Sequence, residues 1–335
     1  MVKRLGEFDF IEQCLIAQAA NGQSFYQHAE ALGIGDDCAV LPPLPADEQM
    51  VVSTDMLVEG RHYVPDVDPR ALGHKVLAVN LSDLAAMGAQ PIAFTLAAAL
   101  RGLNAEWLNE FLAGVLDLAR ETQCALIGGD TTGVPNGGPE VFSVTVMGRV
   151  PRGGALRRSG VRDGDDLWVS GALGDPAYAV SERHQDEKLL RPNPRLSLGL
   201  GLRSLAHAAI DVSDGLHSEV MHLLRASGGL GARLNLDAIP LGPVLRRSVN
   251  EGRLSVQQAH RYAMTGGDEY ELVFSAGPAQ RDAIERLGRE LQLPLTRIGA
   301  ASFAPQAQIQ WHHAQGQPVS PELQQQVQQG GFRHF

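Results

Sequence analysis

Segments patterned for strands and segments patterned for helices alternate along this chain twice over, on either side of a polar, glycine-rich stretch from Pro151 to Asp166. That alternation commits the chain to a mixed α and β fold. The stretch contains Gly153, Gly154, Gly160 and Gly164 and reads as a junction between residues 1–150 and 151–335. With 335 residues there is enough chain for two cores.

In the first half, helical spacing from Gly6 to Ala20 predicts an opening helix, and Met50 to Asp55 reads as a strand. Pro69 to Gly88 is helical, with Leu72, Val76, Leu77, Val79, Leu81 and Leu84 mostly on one side. A strand from Pro91 to Leu100, a helix from Ala105 to Thr122, a short strand ending at Gly128-Gly129-Asp130 and a strand from Val141 to Val150 follow. The second half offers a strand at Leu167 to Ser170, a helix end or strand at Ala206 to Val212, and a helix at Leu216 to Ala226. After these come a strand at Tyr270 to Ser275, a helix at Ala279 to Leu291 and a glutamine-rich tail.

A formal net charge of -10 argues against a protein that grips nucleic acid, because that affinity comes from Lys and Arg neutralising phosphates. The three cysteines, Cys14, Cys38 and Cys124, lack any C-x-x-C pairing and suggest neither a disulfide framework nor a zinc site. The N-terminus meets Glu7 and Asp9 where a signal peptide needs an apolar run, and no apolar stretch reaches membrane-spanning length. A cytoplasmic protein without a membrane partner is expected.

Neither a Walker-type loop nor a G-x-G-x-x-G helix start is present, and the protein-kinase and H-E-x-x-H signatures are missing as well. What stands out is a series of aspartates near the predicted ends of strands and helices: Asp36, Asp37, Asp55, Asp83, Asp130, Asp211 and Asp214. Each has a plain reading as a turn or helix-cap residue. Converging carboxylates raise one another's pKa unless cations neutralise them, and hard oxygen ligands suit magnesium. Magnesium takes few protein carboxylates and fills its shell with water and substrate phosphate, so such a site would be completed by a nucleotide.

These segments, read in order, resemble the thiamine-monophosphate kinase family and its superfamily of aminoimidazole ribonucleotide synthetase, selenophosphate synthetase and HypE. The resemblance rests on Gly33-Ile34-Gly35-Asp36-Asp37, Ser53-Thr54-Asp55, Leu57 to Tyr63, Asn80 to Gly88 and Ile127 to Thr132. It continues through Arg158-Ser159-Gly160, Asp211 to Gly215 and Gly266 to Leu272. It implies an N-terminal α/β domain and a C-terminal α+β domain, with the N-terminal sheets of two subunits forming a barrel-like dimer core. It further implies transfer of the γ-phosphoryl group of ATP to thiamine monophosphate. Asp36, Ser53, Thr54, Asp55, Asp83, Asp130, Asp211 and Asp214 would hold magnesium, with Asp55, Asp83, Asp130 and Asp211 at the reaction centre. Gly129, Asp130, Arg158 and Ser213 would hold ATP, and His62 the acceptor.

The family motif Gly-Gly-Glu-Asp-Tyr-Glu-Leu reads Gly266-Gly267-Asp268-Glu269-Tyr270-Glu271-Leu272 here, leaving Asp268 and Glu269 both as acceptor contacts. Phe332, in the aromatic C-terminus, is the candidate ring against the thiazolium. A phosphate monoester has a second pKa near ~6, so the nucleophile is already anionic and no general base is required. The alternatives are a different small-molecule acceptor within the same superfamily, or a metal and nucleotide sensor without turnover.

Overall fold

The computed structural model describes residues 23–34, 38–184, 186–303 and 308–330. The expected opening helix, Asp36, Asp37 and Phe332 lie outside the described residues. The chain separates into two compact units. One runs to Leu84 and resumes at Ala89–Gly153; the other takes Ala85–Gly88 and the chain from Gly154 onward.

The first unit carries a four-stranded sheet of β1 (Glu48–Val58), β2 (Gln90–Leu100), β3 (Ala125–Gly133) and β4 (Val141–Pro151). The strand order is β1-β4-β2-β3, antiparallel except where β2 and β3 run parallel. Among the described residues two α-helices accompany it, α1 (Pro69–Ala86) and α2 (Ala105–Thr122). The side chain of Asn104 starts α2 by accepting the amides of Glu106 and Trp107, and Gln123, at φ 53°, stops it. Phe111 of α2 stacks on Phe142 of β4 at a centroid distance of 4.6 Å, so α2 covers the sheet face that Phe142, Val144 and Val146 bury. On the opposite face Met50, Val52 and Met56 stay 37%, 60% and 55% exposed, a row of apolar side chains with no cover among the described residues.

Helix α1 departs from expectation: instead of one apolar side it is buried from Ala71 to Ser82 at every position but His74. A helix surrounded this way must satisfy its polar groups internally. α1 and α2 cross backbone against backbone. A Cβ added to Gly73 would meet the Phe111 carbonyl oxygen at 2.0 Å, and one added to Gly114 the Arg70 carbonyl oxygen at 1.9 Å. Strand β3 also outruns its expected end at Asp130 and continues to Gly133, paired with β2 on both sides of a bulge at Ile127.

The second unit is built on a six-stranded sheet of β5 (Asp166–Ser170), β6 (Ala208–Asp211), β7 (Gly231–Asn235), β8 (Leu272–Ala276), β9 (Leu295–Ser302) and β10 (Ile309–His312). Its order is β10-β7-β9-β5-β8-β6, antiparallel except for β10 beside β7. Its helices are α3 (Asp175–Glu182), α4 (Glu187–Leu190), α5 (Leu196–Leu202), α6 (Leu216–Ala226), α7 (Pro243–Asn250), α8 (Val256–Thr265), α9 (Arg281–Glu290) and α10 (Pro321–Gln329). Successive strand residues point to opposite faces, so Leu167 and Val169 join α6 in one core while Trp168 joins α5 and α9 in another. The sheet is covered on both sides. Residues 206–212 resolve to the strand alternative, and the glutamine-rich tail forms α10, which buries Leu323 and Val327 four residues apart.

One core contact is sensitive to pH. Trp311 Nε1 donates to His217 Nδ1 at 3.2 Å, and burial, with Arg225 nearby, pushes the His217 pKa down to about 4. The folded state therefore holds a neutral imidazole where the unfolded chain takes a proton near ~6.5. Stability present above that pH is lost as pH falls toward 4, about 2 kcal/mol of it between pH 7 and pH 5. Urea midpoints at the two pH values should show this loss in the wild type and a smaller one in His217→Gln. Equal losses would remove His217 as the cause.

Candidate active site

Asn80 and Asp83 lie three residues apart on α1 and both address β1, an edge strand. The Asp55 amide donates to Asn80 Oδ1 at 2.8 Å, while Asn80 Nδ2 donates to the Val76 carbonyl at 3.0 Å. Ser53 Oγ donates to Asp83 Oδ2 at 2.5 Å. Ser53, Asp55 and Asp83 thus form one oxygen-rich group, fixed by a fully buried Asn. Thr54 stands apart: its hydroxyl donates to the Val144 carbonyl at 2.9 Å and accepts from Thr145 Oγ1 at 3.1 Å. The alternation of a strand puts its side chain on the opposite face.

His62 sits in the turn after β1. The Val58 amide donates to His62 Nδ1 at 3.0 Å, which leaves the proton of the neutral ring on Nε2 as a donor. Lys75 Nζ reaches the His62 carbonyl at 3.4 Å from α1, and Arg101 ties the turn's Glu59 to Glu140.

Asp130 is not brought to this group. It lies in β3, at the far edge of the sheet, paired with Ala97 of β2, and three strand spacings amount to roughly 14 Å. The register also puts it on the other face: Asp55 aligns with Val144 and Leu96, Asp130 with Ala97 and Ser143. Gly129 has a structural reason of its own, because a Cβ there would meet the Leu96 carbonyl oxygen at 1.9 Å. Beside it opens a mainly apolar cleft lined by Leu96, Ala98, Leu108, Phe111 and Phe142, with Gly129 and Asp130 at hand. Among the described residues no group of three or more His, Cys, Asp or Glu is arranged to hold a metal ion unaided. Paired carboxylates short of a full shell are what magnesium bridged to a phosphate requires.

In the second unit Asp211 ends β6 and is buried, and Ser213 and Asp214 follow in the turn into α6. Glu219 of α6, which the motifs did not single out, closes this turn by accepting the Asp214 amide at 3.3 Å. Burial, with the charges of Asp211 and Asp214 next to it, pushes Glu219 up to about 8, while Arg158 pulls the other way. Arg158 is itself exposed, and Ser227 anchors its segment by accepting the amides of Gly160 and Val161 at 3.0 Å each.

Residues 266–271 run alongside this turn: the Asp268 amide donates to the Ser213 carbonyl and the Tyr270 amide to the Val212 carbonyl, both at 2.9 Å. Asp268 and Tyr270 hold φ values of 62° and 51°, which non-glycine residues rarely adopt, and Tyr270 Oη donates to Asp268 Oδ1 at 3.2 Å. That conformation also delays β8, which begins at Leu272 rather than Tyr270. Asp268 is partly exposed, whereas Glu269 is 1% exposed and turned inward to the Gly174 amide and Lys188. The two carboxylates left open by the motif are thus separated: Glu269 is an interior group.

Residues 35–150 match the family model of the AIR synthase related protein, N-terminal domain. Over 283 residues, 81% of this chain and 84% of the relative, the sequence is 43% identical to thiamine-monophosphate kinase of Salmonella typhimurium. The chain belongs to the thiamine-monophosphate kinase family. A thiamine-monophosphate kinase crystal structure from Stenotrophomonas maltophilia K279a, 40% identical, superposes with a TM-score of 0.80 over 95% of this chain and 99% of that one. A ThiL structure complexed with AMPPCP and TMP shares the fold at 23% identity, with a TM-score of 0.71 over 99% of each chain. Asn80, Glu219 and Tyr270 hold the segments of the candidate aspartates in place through the contacts to Asp55, Asp214 and Asp268. Asn80 and Tyr270 stand in quoted motifs, Asn80 also at i, i+3 spacing to Asp83, whereas Glu219 carried no sequence signal.

Proposed function

We propose that this protein transfers the γ-phosphoryl group of ATP to the phosphate of thiamine monophosphate, giving thiamine diphosphate and ADP by direct in-line displacement. The family membership carries the reading, and the chemistry of the side chains supports it. A phosphate nucleophile needs no base, and Ser53, Asp55, Asp83, Asp130, Asp211 and Asp214 offer hard oxygen where charge must be neutralised. The first of the two domains, residues 1–150, supplies Asp36, Ser53, Asp55, Asp83, Gly129 and Asp130. The second, residues 151–335, supplies Arg158, Asp211, Ser213, Asp214, Asp268 and Phe332. Magnesium, when bound, offsets phosphate charge and polarises the transferred group. Arg158 offers a fork to phosphate oxygens, Ser213 a hydroxyl, and the cleft beside Gly129 an apolar seat for the adenine. His62 Nε2–H donates to the acceptor phosphate. Asp268 contacts the acceptor from its left-handed turn, and Phe332 covers its cationic ring.

The working form is a cytoplasmic homodimer. Met50, Val52 and Met56 give the open sheet face the apolar character of an interface. A second copy seated there would supply neighbours to Asp130, which stands apart from Asp55 and Asp83 in its own chain.

The deciding experiment is magnesium-dependent formation of thiamine diphosphate from ATP and thiamine monophosphate. Free thiamine should be at least about a hundredfold poorer in kcat/KM, since it lacks the anionic nucleophile and the phosphate that bridges magnesium. Comparable rates for the two acceptors would point to a different kinase chemistry, and no turnover of either would favour a sensor.

A further inference from the structure

The sequence Asp268-Glu269-Tyr270-Glu271 sends alternate side chains in opposite directions. Asp268 and Tyr270 stay partly exposed, while Glu269 and Glu271 are each 1% exposed. Two buried carboxylates two residues apart repel each other and demand cations. Both cations come from one stretch of chain. Lys188 Nζ stands 2.6 Å from Glu269 Oε2 and 3.4 Å from Glu271 Oε1. Arg195 grips Glu271 with both arms of its fork, Nε to Oε2 at 2.7 Å and Nη2 to Oε1 at 2.6 Å. Ser170 Oγ completes the set at 2.6 Å from Glu271 Oε2 and itself accepts the Leu272 amide at 2.9 Å. Burial acts to raise both glutamates; Arg195, Lys188 and Ser170 nevertheless hold Glu271 below the usual carboxylate range.

The outward pair depends on this inward pair. Asp268 and Tyr270 occupy left-handed backbone, a conformation that persists only where the surroundings over-determine it. Their amides are bonded to Ser213 and Val212, so the acceptor-side turn and the Asp211–Asp214 turn form one piece. Nothing in the chemistry of phosphoryl transfer requires a buried Lys–Glu–Arg–Glu network, and apolar side chains fill buried space at lower desolvation cost. Its location directly behind the strained turn is what it explains.

We propose that Arg195 and Lys188 are positioning residues for the acceptor: by anchoring Glu271 and Glu269 they hold Asp268 outward and in register with the Asp211–Asp214 turn. The inference rests on the kinase reading for its substrate but on the geometry alone for the anchoring.

The test uses two variants. Arg195→Lys keeps the charge but loses the two-armed grip. The double change Lys188→Met with Glu269→Gln removes an ion pair without leaving a buried charge alone, which guards against misfolding. Hydrogen exchange on the full-length protein should show the amides of residues 268–271 exchanging about tenfold faster in both variants, with those of α6 unchanged. KM for thiamine monophosphate should rise about tenfold with kcat changed less, and the affinity for ATP with magnesium should stay within about twofold. Unchanged protection at residues 268–271 overturns the anchoring, as does an equal loss across the whole second unit. Should the wild type fail to phosphorylate thiamine monophosphate, the substrate reading falls and the exchange result still decides the anchoring.

Discussion

Asp55→Asn and Asp130→Asn are each expected to lower kcat by at least about a hundredfold, a loss of roughly 3 kcal/mol of transition-state stabilisation, with the fold intact. The oxygen group around Asp55 is assembled from backbone and side chain together: the Asp55 amide is held by Asn80, and Ser53 by Asp83. Asparagine preserves the size of the side chain and one acceptor oxygen but removes the charge that would attract magnesium. Two phosphates must be brought into line in this reaction, so a misplaced cation costs both positioning and charge neutralisation. At Asp55 the change also relieves like-charge repulsion with Asp83, and the melting temperature of that apo variant should not fall. Kinetics over a magnesium titration, with thermal melts, separate the two effects. Wild-type kcat at saturating magnesium in either variant would remove that residue from the ligand set.

Gly114→Ala is expected to destabilise the first unit by about 2–4 kcal/mol, although it adds only one methyl group. The added Cβ would stand 1.9 Å from the Arg70 carbonyl oxygen, and the same approach recurs at Gly73 against Phe111, so neither helix can yield without moving the other. In an exposed helix the same change would stabilise, since alanine is the better helix former. Gly102→Ala, at a position where a Cβ meets nothing within 4 Å, is the control and should be close to neutral. Urea unfolding of both variants measures the difference, and a neutral Gly114→Ala would mean that the two helices separate at little cost. The effect on activity should follow, because α1 carries Asn80 and Asp83 to the edge of β1.

The sequence by itself determined the class of fold, most of the long elements and the family. Helices α2 and α6 run as their apolar spacing predicts, from Ala105 to Thr122 and from Leu216 to Ala226, because amphipathic period is a local property that one packing face suffices to reveal. Ordered motifs of Gly, Asp and Asn named the family, since each reports a local backbone or ligand requirement. Short elements such as β7 and α5 escaped, being too brief or too glycine-rich for periodicity to build up. Tertiary structure decided everything that depends on which residues share a face. It buried α1 nearly all round and joined Ser53 to Asp83. It set Asp130 on the opposite face and edge of the sheet from Asp55, an outcome of strand order that pattern alone does not encode. It also turned Glu269 inward and left Asp268 exposed, because only the packed chain brings Lys188 and Arg195 behind residues some 80 positions away to neutralise the buried pair.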